Sequence, residues 1–221
     1  NMAMVIPGKE EYGQTIRYFE KMMEKYLVKV CLGHHVNADD LIHGDFDEII
    51  LANGVNPRKW EIPGADHPKV IYYTDLLEKK VIAGQKVAII GSGGIGFDVA
   101  TFLTHHNGSD TDIASFMETW GVDMEYNNRG GLKVAQAKLP ERQVYLLKRS
   151  TGKHGNTLGK TTGWIHKANL QKNGVKMLSD VEYIKVDNQG LSINVAGTPM
   201  LLDVDHIVVC AGQESSRSLY E

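Results

Sequence analysis

The stretch 86–103, KVAIIGSGGIGFDVATFL, constrains the fold of this 221-residue chain more than any other. Residues 87–90 form an apolar run that predicts a strand buried on both faces. The pattern G-x-G-x-x-G follows at 91–96, and apolar residues then recur at helical spacing up to Leu103. A glycine-rich turn between a buried strand and a helix predicts an α/β fold built on a parallel sheet.

The glycine turn also predicts a ligand. Gly91 makes the tight turn out of the strand, Gly93 lets the backbone approach a pyrophosphate, and Gly96 lets the helix pack closely on the strand. The pyrophosphate would lie at the helix N-terminus, where unpaired N–H groups and the helix dipole favour negative charge. A glycine-rich turn without a ligand is the alternative. The candidate cofactor-binding residues of the turn are Gly91, Ser92, Gly93, Gly94, Ile95 and Gly96.

The amino-acid composition limits which classes of partner the chain is expected to bind. With 42% hydrophobic and 23% charged residues and a net charge of −3, the chain has no basic bias that would indicate a nucleic-acid partner. No apolar run reaches the roughly 20 residues that a bilayer requires, so we expect no membrane partner and a cytoplasmic location. Cys31 and Cys210 lie far apart, which fits a reducing compartment and predicts no metal site. Both cysteines are predicted to be buried.

The first third of the chain predicts a helix and two strands. Residues 8–26 have the apolar spacing of an amphipathic helix, and 27–32 and 46–52 read as strands. Residues 60–85 read as a proline-containing linker that ends in a short helix around 74–80.

The sequence that follows the glycine turn and its helix predicts the remaining strands of the parallel sheet. A long insertion with a polar turn at 107–110 and a helix near 113–120 delays the next strand until 143–147. A helix at 161–173, a third parallel strand at 175–178 and a return strand at 205–210 follow, with an antiparallel meander across 181–202 between the last two. The return strand ends in the small-residue turn Ala211-Gly212, which we include among the cofactor-binding candidates.

The end of the strand 143–147 predicts which dinucleotide binds. NAD-binding units place a carboxylate near this position, whereas NADP-binding units use an arginine for the ribose 2′-phosphate. No carboxylate follows this strand, but Arg149 and Lys153 do. Lys148 would point to the opposite face if the strand continued, so it ranks below them. A solvated basic turn is the alternative.

Five segments together resemble the bacterial NADPH-dependent 2,4-dienoyl-CoA reductases, and the resemblance covers nearly the whole chain. The segments are PGKEEY at 7–12, KVAIIGSGGIGFDVA at 86–100, SFMETWGVD at 115–123, RGGL at 129–132 and LGKTTGWIHK at 158–167. The resemblance implies a Rossmann-like NAD(P)H-binding domain of the FAD/NAD(P) reductase type, with an antiparallel three-stranded insert and part of an FAD-binding domain. The implied division is 1–75 for partial FAD domain, 76–210 for the NADPH domain and 211–221 for the return to the FAD domain.

The resemblance also implies an activity for a longer protein. In that family a hydride passes from NADPH to FAD, and electrons then pass through a 4Fe-4S cluster to FMN, which reduces the dienoyl-CoA in unsaturated fatty acid β-oxidation. FAD, FMN and the cluster are expected in the full-length protein only, where the FAD and the FMN barrel would be partners of this segment. The chain reads as a fragment that supplies NADPH binding, carries no catalytic residue and is inactive alone.

Two other functions remain open at this point. Amine dehydrogenases related to trimethylamine dehydrogenase share the implied architecture, but their corresponding domain need not use a nicotinamide. From a different class, the chain could be only a nucleotide-binding or interaction module with no chemistry of its own.

Overall fold

The computed structural model describes residues 2–105, 112–136 and 140–219. Its helices are α1 (Tyr12–Lys25), α2 (Ala38–Ile42), α3 (Tyr73–Leu77), α4 (Gly94–Thr104), α5 (Ile113–Trp120) and α6 (Gly163–Lys172), with short 3-10 segments at Met2–Val5 and Arg129–Gly131. The predicted polar turn at 107–110 lies outside the described residues. None of the helices within the described ranges is long and apolar enough to cross a bilayer.

Within these described ranges, the strands divide into three sheets. They are β1 (Val55–Pro57), β2 (Val70–Tyr72), β3 (Lys86–Ile90), β4 (Gln143–Leu147), β5 (Lys176–Leu178), β6 (Val181–Asp187), β7 (Gly190–Val195), β8 (Thr198–Leu202), β9 (His206–Val209) and β10 (Gln213–Ser215). The main sheet is parallel throughout and has the order β2-β9-β3-β4-β5. The α/β fold and the parallel strands predicted at 87–90, 143–147, 175–178 and 205–210 are therefore confirmed.

The main sheet is covered on both faces, as the apolar run of β3 predicts. Val87 and Ile89 belong to the apolar cluster that includes buried residues of α3, α4 and α6. Ala88 and Ile90 point the other way, into a cluster formed with β6, β7 and β8. These three strands form the predicted antiparallel meander. Helices therefore cover one face of the sheet and the three-stranded insert covers the other.

Two predicted strands in the first third of the chain are wrong. Neither 27–32 nor 46–52 is a strand, and Leu27, Leu32 and Ile50 are about 90%, 89% and 90% exposed. Within the described ranges no other strand pairs with either segment, and an extended segment without such a partner cannot form a ladder. Cys31 is exposed, contrary to prediction, whereas Cys210 is buried.

The segment read as a linker contributes a strand that was not predicted. β2 pairs in parallel with β9, with Val70 opposite Ile207 and Tyr72 opposite Val209. The main sheet therefore begins before residue 76, where the sequence places the start of the nucleotide domain. β1 and β10 pair antiparallel outside the main sheet.

The N-terminal end of the chain contacts the main sheet's helical layer. Ile6 is buried in the cluster of α3 and α4. The Lys9 ammonium lies 2.7 Å from both carboxylate oxygens of Asp98 on α4, and both side chains are about 28% exposed. This ion pair links the segment before α1 to the helix that follows the glycine turn.

Candidate functional site

The glycine turn begins with a close backbone approach between β3 and β9. Gly91 has φ +106°, a backbone conformation that residues other than glycine rarely adopt. A Cβ there would lie 2.6 Å from the Cys210 carbonyl oxygen. A Cβ on Gly96 would collide with the Gly91 carbonyl oxygen. Helix α4 therefore packs directly on the turn, in the geometry that a glycine at each position permits.

Gly93 and Gly94 face open space instead. A Cβ on either residue would meet no atom within 4 Å. Gly93 is the N-cap of α4, and its carbonyl oxygen accepts the Phe97 N–H at 3.0 Å. Beside it, the buried Ser92 hydroxyl has no hydrogen-bond partner in the described part of the chain. The exposed glycine backbone at a helix N-terminus fits the pyrophosphate of a dinucleotide.

A cavity of about 920 Å³ lies against this turn, and we call it the glycine-loop cavity. Seven of the predicted cofactor-binding residues line it, namely Gly91, Gly93, Gly94, Ile95, Arg149, Ala211 and Gly212. Ser92, Gly96 and Lys153 are not among the lining residues. The ends of β3, β4 and β9 therefore meet at one cavity, as parallel strands that share a sheet edge require.

The residues that follow β4 form the basic end of the cavity. Arg149 and Ser150 line it, and so does Lys148, which the sequence ranked lower because it would point to the opposite face if the strand continued. β4 ends at Leu147, so the alternation of side chains does not continue to Lys148. The Lys148 Nζ donates to the Lys153 carbonyl oxygen at 3.0 Å. Charge along the lining favours an anion, because four cations face two carboxylates. The charged lining residues are Arg58, Lys59, Lys148, Arg149, Glu61 and Glu182.

Sequence reasoning missed an aromatic wall of the cavity. Trp60, from the segment read as a linker, and Tyr183 of β6 both line it, with ring centroids 5.7 Å apart and planes at 80°. Burial raises the pKa of the Tyr183 hydroxyl, and the positive charge of Arg149 opposes that shift. Tyr183 is therefore a neutral phenol near Arg149. Aromatic side chains in a linker and in an insert read as core, so the sequence carries no signal that separates them from core residues.

The junction between β1 and β10 forms another side of the cavity. The Arg58 N–H donates to the Gly212 carbonyl oxygen at 3.0 Å, and the Arg58 Nε lies 3.4 Å from a carboxylate oxygen of Glu214. Gly212 has φ +107°, and a Cβ there would touch the Arg58 guanidinium. The Gln213 side-chain amide donates to the Tyr73 hydroxyl at 2.8 Å. The turn after β9 is therefore tied to both β1 and α3.

The model of one protein family matches most of the chain. The family is described as pyridine nucleotide-disulphide oxidoreductase, and the match covers residues 7–221. Among curated proteins, a metal reductase from Desulforamulus reducens is 25% identical over 224 residues, which is all of this chain and 33% of the relative. The chain thus spans about a third of the length of this relative.

Two solved structures share the fold over 99% of this chain. A 2-naphthoyl-CoA reductase in complex with 2-naphthoyl-CoA has a TM-score of 0.76 at 20% identity, and the match covers 28% of that chain. The 6-hydroxypseudooxynicotine amine oxidase from Pseudomonas geniculata N1 has a TM-score of 0.71 at 16% identity, with 30% of that chain covered. At these identities the two likenesses show a common fold.

Proposed function

The chain belongs to the pyridine nucleotide-disulphide oxidoreductase family, and on that premise we propose that its glycine-loop cavity binds NADPH. One observation carries the proposal: the open backbone of Gly93 and Gly94 and the guanidinium-bearing Arg149 line the same cavity. A dinucleotide with a 2′-phosphate needs both features, a backbone that its pyrophosphate can approach and a cation beside its ribose.

Each part of the nucleotide has a proposed set of contacts. The N–H groups at the start of α4 bind the pyrophosphate, and the α4 dipole adds to that attraction. Arg149 binds the 2′-phosphate with two parallel N–H bonds, and Lys153 adds a second positive charge nearby. Ala211 and Gly212 give the nucleotide room beside the turn after β9. No residue of this chain is assigned a catalytic role.

We propose that the chain is the NADPH-binding portion of a longer flavoprotein oxidoreductase of the 2,4-dienoyl-CoA reductase type. When bound, NADPH supplies a hydride, and FAD is the proposed acceptor. FAD, FMN and a 4Fe-4S cluster are assigned to the longer protein, which we place in the cytoplasm. The relatives carry names with different electron acceptors, a metal in one and a naphthoyl-CoA in another. Choice of the final acceptor is therefore assigned to segments outside this chain.

A second candidate is the corresponding domain of a trimethylamine-dehydrogenase-like flavoprotein. The shared fold with an amine oxidase over 99% of the chain favours it. The basic end of the glycine-loop cavity favours the reductase, because a domain that binds no 2′-phosphate has no need for cations there. A third reading, a nucleotide-binding module with no activity of its own, describes this segment when it is separated from the rest.

The test is nucleotide binding to the double variant Arg149→Ala with Lys153→Ala. Charge-assisted hydrogen bonds contribute about 1.5–3 kcal/mol each, so we expect NADPH affinity to fall roughly a hundredfold or more. NADH lacks the 2′-phosphate, so its affinity should hardly change. Titration of both nucleotides into the variant and the unmodified chain at equal salt measures the difference.

A matched control removes the same charges elsewhere. Arg129→Ala with Lys133→Ala deletes one exposed arginine and one exposed lysine that do not line the cavity, and it should leave both affinities unchanged. The 2′-phosphate assignment is wrong if the Arg149 and Lys153 variant keeps its preference for NADPH, or loses both nucleotides equally.

A further inference from the structure

Helix α4 begins without the acidic residue or side-chain cap that often completes a helix N-terminus. Its N-cap, Gly93, has no side chain that could accept an N–H, and its first turn holds no acidic residue. The first N–H groups of a helix and the helix dipole favour a negative charge. The carboxylate of Asp98 is the only one in α4. Asp98 is therefore the one charge on this helix that would repel an anionic ligand at its N-terminus.

Asp98 lies one helical turn after Gly94. Residues four apart share a helix face, and the rise between them is about 6 Å. Because Cα–Cβ bonds tilt toward the helix N-terminus, the Asp98 side chain starts in the direction of Gly94, which lines the glycine-loop cavity and faces open space. Asp98 itself does not line the cavity. Its carboxylate can therefore act on a bound pyrophosphate through its charge, without touching it.

The Lys9 ammonium neutralises this carboxylate. It lies 2.7 Å from both Asp98 carboxylate oxygens, and each side chain is about 28% exposed. Because the pair is partly withdrawn from water, salt screens its charges less than those of a fully exposed pair. With the pair formed, the positive end of α4 has no net side-chain charge one turn behind it.

The backbone around Lys9 holds the ammonium in place. Its N–H donates to the Ile6 carbonyl oxygen at 3.0 Å, and its own carbonyl oxygen accepts the Tyr12 N–H at 3.1 Å. Ile6 is buried in the cluster of α3 and α4. The segment before α1 is therefore anchored three residues upstream, and Lys9 approaches Asp98 from a fixed point.

We propose that Lys9 is a positioning residue for the nucleotide: it holds and neutralises Asp98, and so leaves the N-terminus of α4 free to attract the pyrophosphate. The inference rests on the proposed function, because it concerns the same nucleotide. It concerns the pyrophosphate, however, which NADPH and NADH both contain. Without Lys9, a carboxylate and a pyrophosphate would lie at the same end of one helix, and like charges repel across the turn between them.

The experiment compares Lys9→Met, Lys9→Arg and the double variant Lys9→Met with Asp98→Asn. At low salt we expect Lys9→Met to lose about threefold to tenfold in affinity for NADPH and NADH alike, since an uncompensated carboxylate then lies about one helical turn from the pyrophosphate. Higher salt should shrink this loss, because the repulsion is screened. Lys9→Arg keeps the charge and should bind both nucleotides as the unmodified chain does.

The double variant separates an effect of charge from an effect of structure. Like Lys9→Met it lacks the ion pair, but it also lacks the Asp98 charge, so its nucleotide affinity should return to that of the unmodified chain. If Lys9 only attached the N-terminal segment, the double variant would stay as weak as Lys9→Met. The matched control is Lys21→Met, which removes another lysine that pairs with a carboxylate, that of Glu24 at 2.9 Å. It should leave both affinities unchanged.

Two outcomes overturn the inference while leaving the proposed function intact: full affinity in Lys9→Met, or a loss that Asp98→Asn does not restore. An equal loss in Lys21→Met overturns it as well. If the unmodified chain has no preference for NADPH, yet Lys9→Met loses both nucleotides and the double variant regains them, the NADPH assignment fails and this inference stands. An unmodified chain that binds neither nucleotide overturns both.

Discussion

The N-terminal part of the chain and the part from Trp60 onward differ strongly in how far their side chains are buried. Residues 7–59 include α1, α2 and β1, yet none of the 53 residues is buried. From Trp60 onward, by contrast, β3 and β4 supply side chains with no exposed surface, among them Ile89 and Leu146. Some contacts in the first part are local, such as the capping box in which Asn37 and Asp40 bond each other's backbone N–H groups, and its long-range contacts include the Lys9–Asp98 ion pair and the pairing of β1 with β10.

The difference shows what an amphipathic pattern can and cannot specify. Helix α1 forms where the pattern predicts it, but apolar residues along it, such as Tyr12, Ile16 and Phe19, are exposed. In the main sheet the same kind of pattern leads to burial, because strands and helices on both faces supply the opposing surface. For α1 the periodic sequence therefore determines the element, whereas its contribution to stability depends on a partner surface.

The largest expected effect comes from comparing the same change, isoleucine to alanine, at one position in each part. Ile89→Ala removes buried methyl groups from the centre of the sheet and should cost about 2–5 kcal/mol of unfolding free energy. Ile50→Ala changes the same residue type where it is 90% exposed, and surface changes usually stay within about 0.5 kcal/mol. Urea unfolding of both variants measures the contrast. Similar losses in the two would show that residues 46–52 pack against the sheet in solution.

A pair of substitutions in the glycine turn tests the packed part more finely. A Cβ on Gly96 collides with the Gly91 carbonyl, whereas a Cβ on Gly94 meets nothing. Gly96→Ala should therefore cost about 1–3 kcal/mol, as overpacked sites do. Gly94→Ala should be neutral for folding or slightly stabilising, because alanine favours the helix. Thermal unfolding of each variant decides it, and a stable Gly96→Ala chain would mean that α4 sits further from β3 than described.

The ion pair between Lys9 and Asp98 joins the two parts, and its loss should cost less. A partly exposed pair contributes about 0.2–1 kcal/mol. A double-mutant cycle of Lys9→Met and Asp98→Asn, followed by chemical denaturation, isolates the coupling between the two side chains. A coupling free energy of zero would show that this pair does not stabilise the attachment of the N-terminal segment, whose Ile6 is also buried against α3 and α4.

The smallest effect concerns pH and the buried His154. Its pKa is lowered in the folded chain, first by burial and then by Lys148 and Lys167. In the unfolded chain the histidine pKa is about 6.5, so as pH falls the unfolded chain binds a proton at His154 before the folded chain does. The free energy of unfolding therefore declines below that pH. His154→Leu should remove this part of the decline. Unfolding midpoints at neutral and mildly acidic pH, compared between the variant and the unmodified chain, test it; parallel declines would rule out a contribution from His154.

Much of the main sheet could be predicted because its strands carry strong local signals. β3 and β4 are short apolar runs, and the meander is divided by turns at Asn188 and Gly197. β2 was missed because its three residues become a strand only through β9, which lies more than a hundred residues later. No short window of sequence contains that pairing.

The residues of the candidate site also differ in whether a local sequence pattern reveals them. The glycine turn and Arg149 could be found because a local pattern places them at strand ends. The positions of Trp60 and Tyr183 against the cavity depend on how the linker and the insert fold over the sheet. Lys148 ranked below Arg149 on the condition that the strand continues, but the strand ends at Leu147 and Lys148 lines the cavity.

The position of β9 between β2 and β3 sets an order of events during synthesis. A ribosome completes β2 and β3 by residue 90 but makes the strand that lies between them only at 206–209. At about 5–20 residues per second, this leaves an interval on the order of ten seconds in which both strands wait for their shared neighbour. During that time their facing edges are open to other extended segments. The facing edges of β2 and β3 are therefore completed only when β9 emerges.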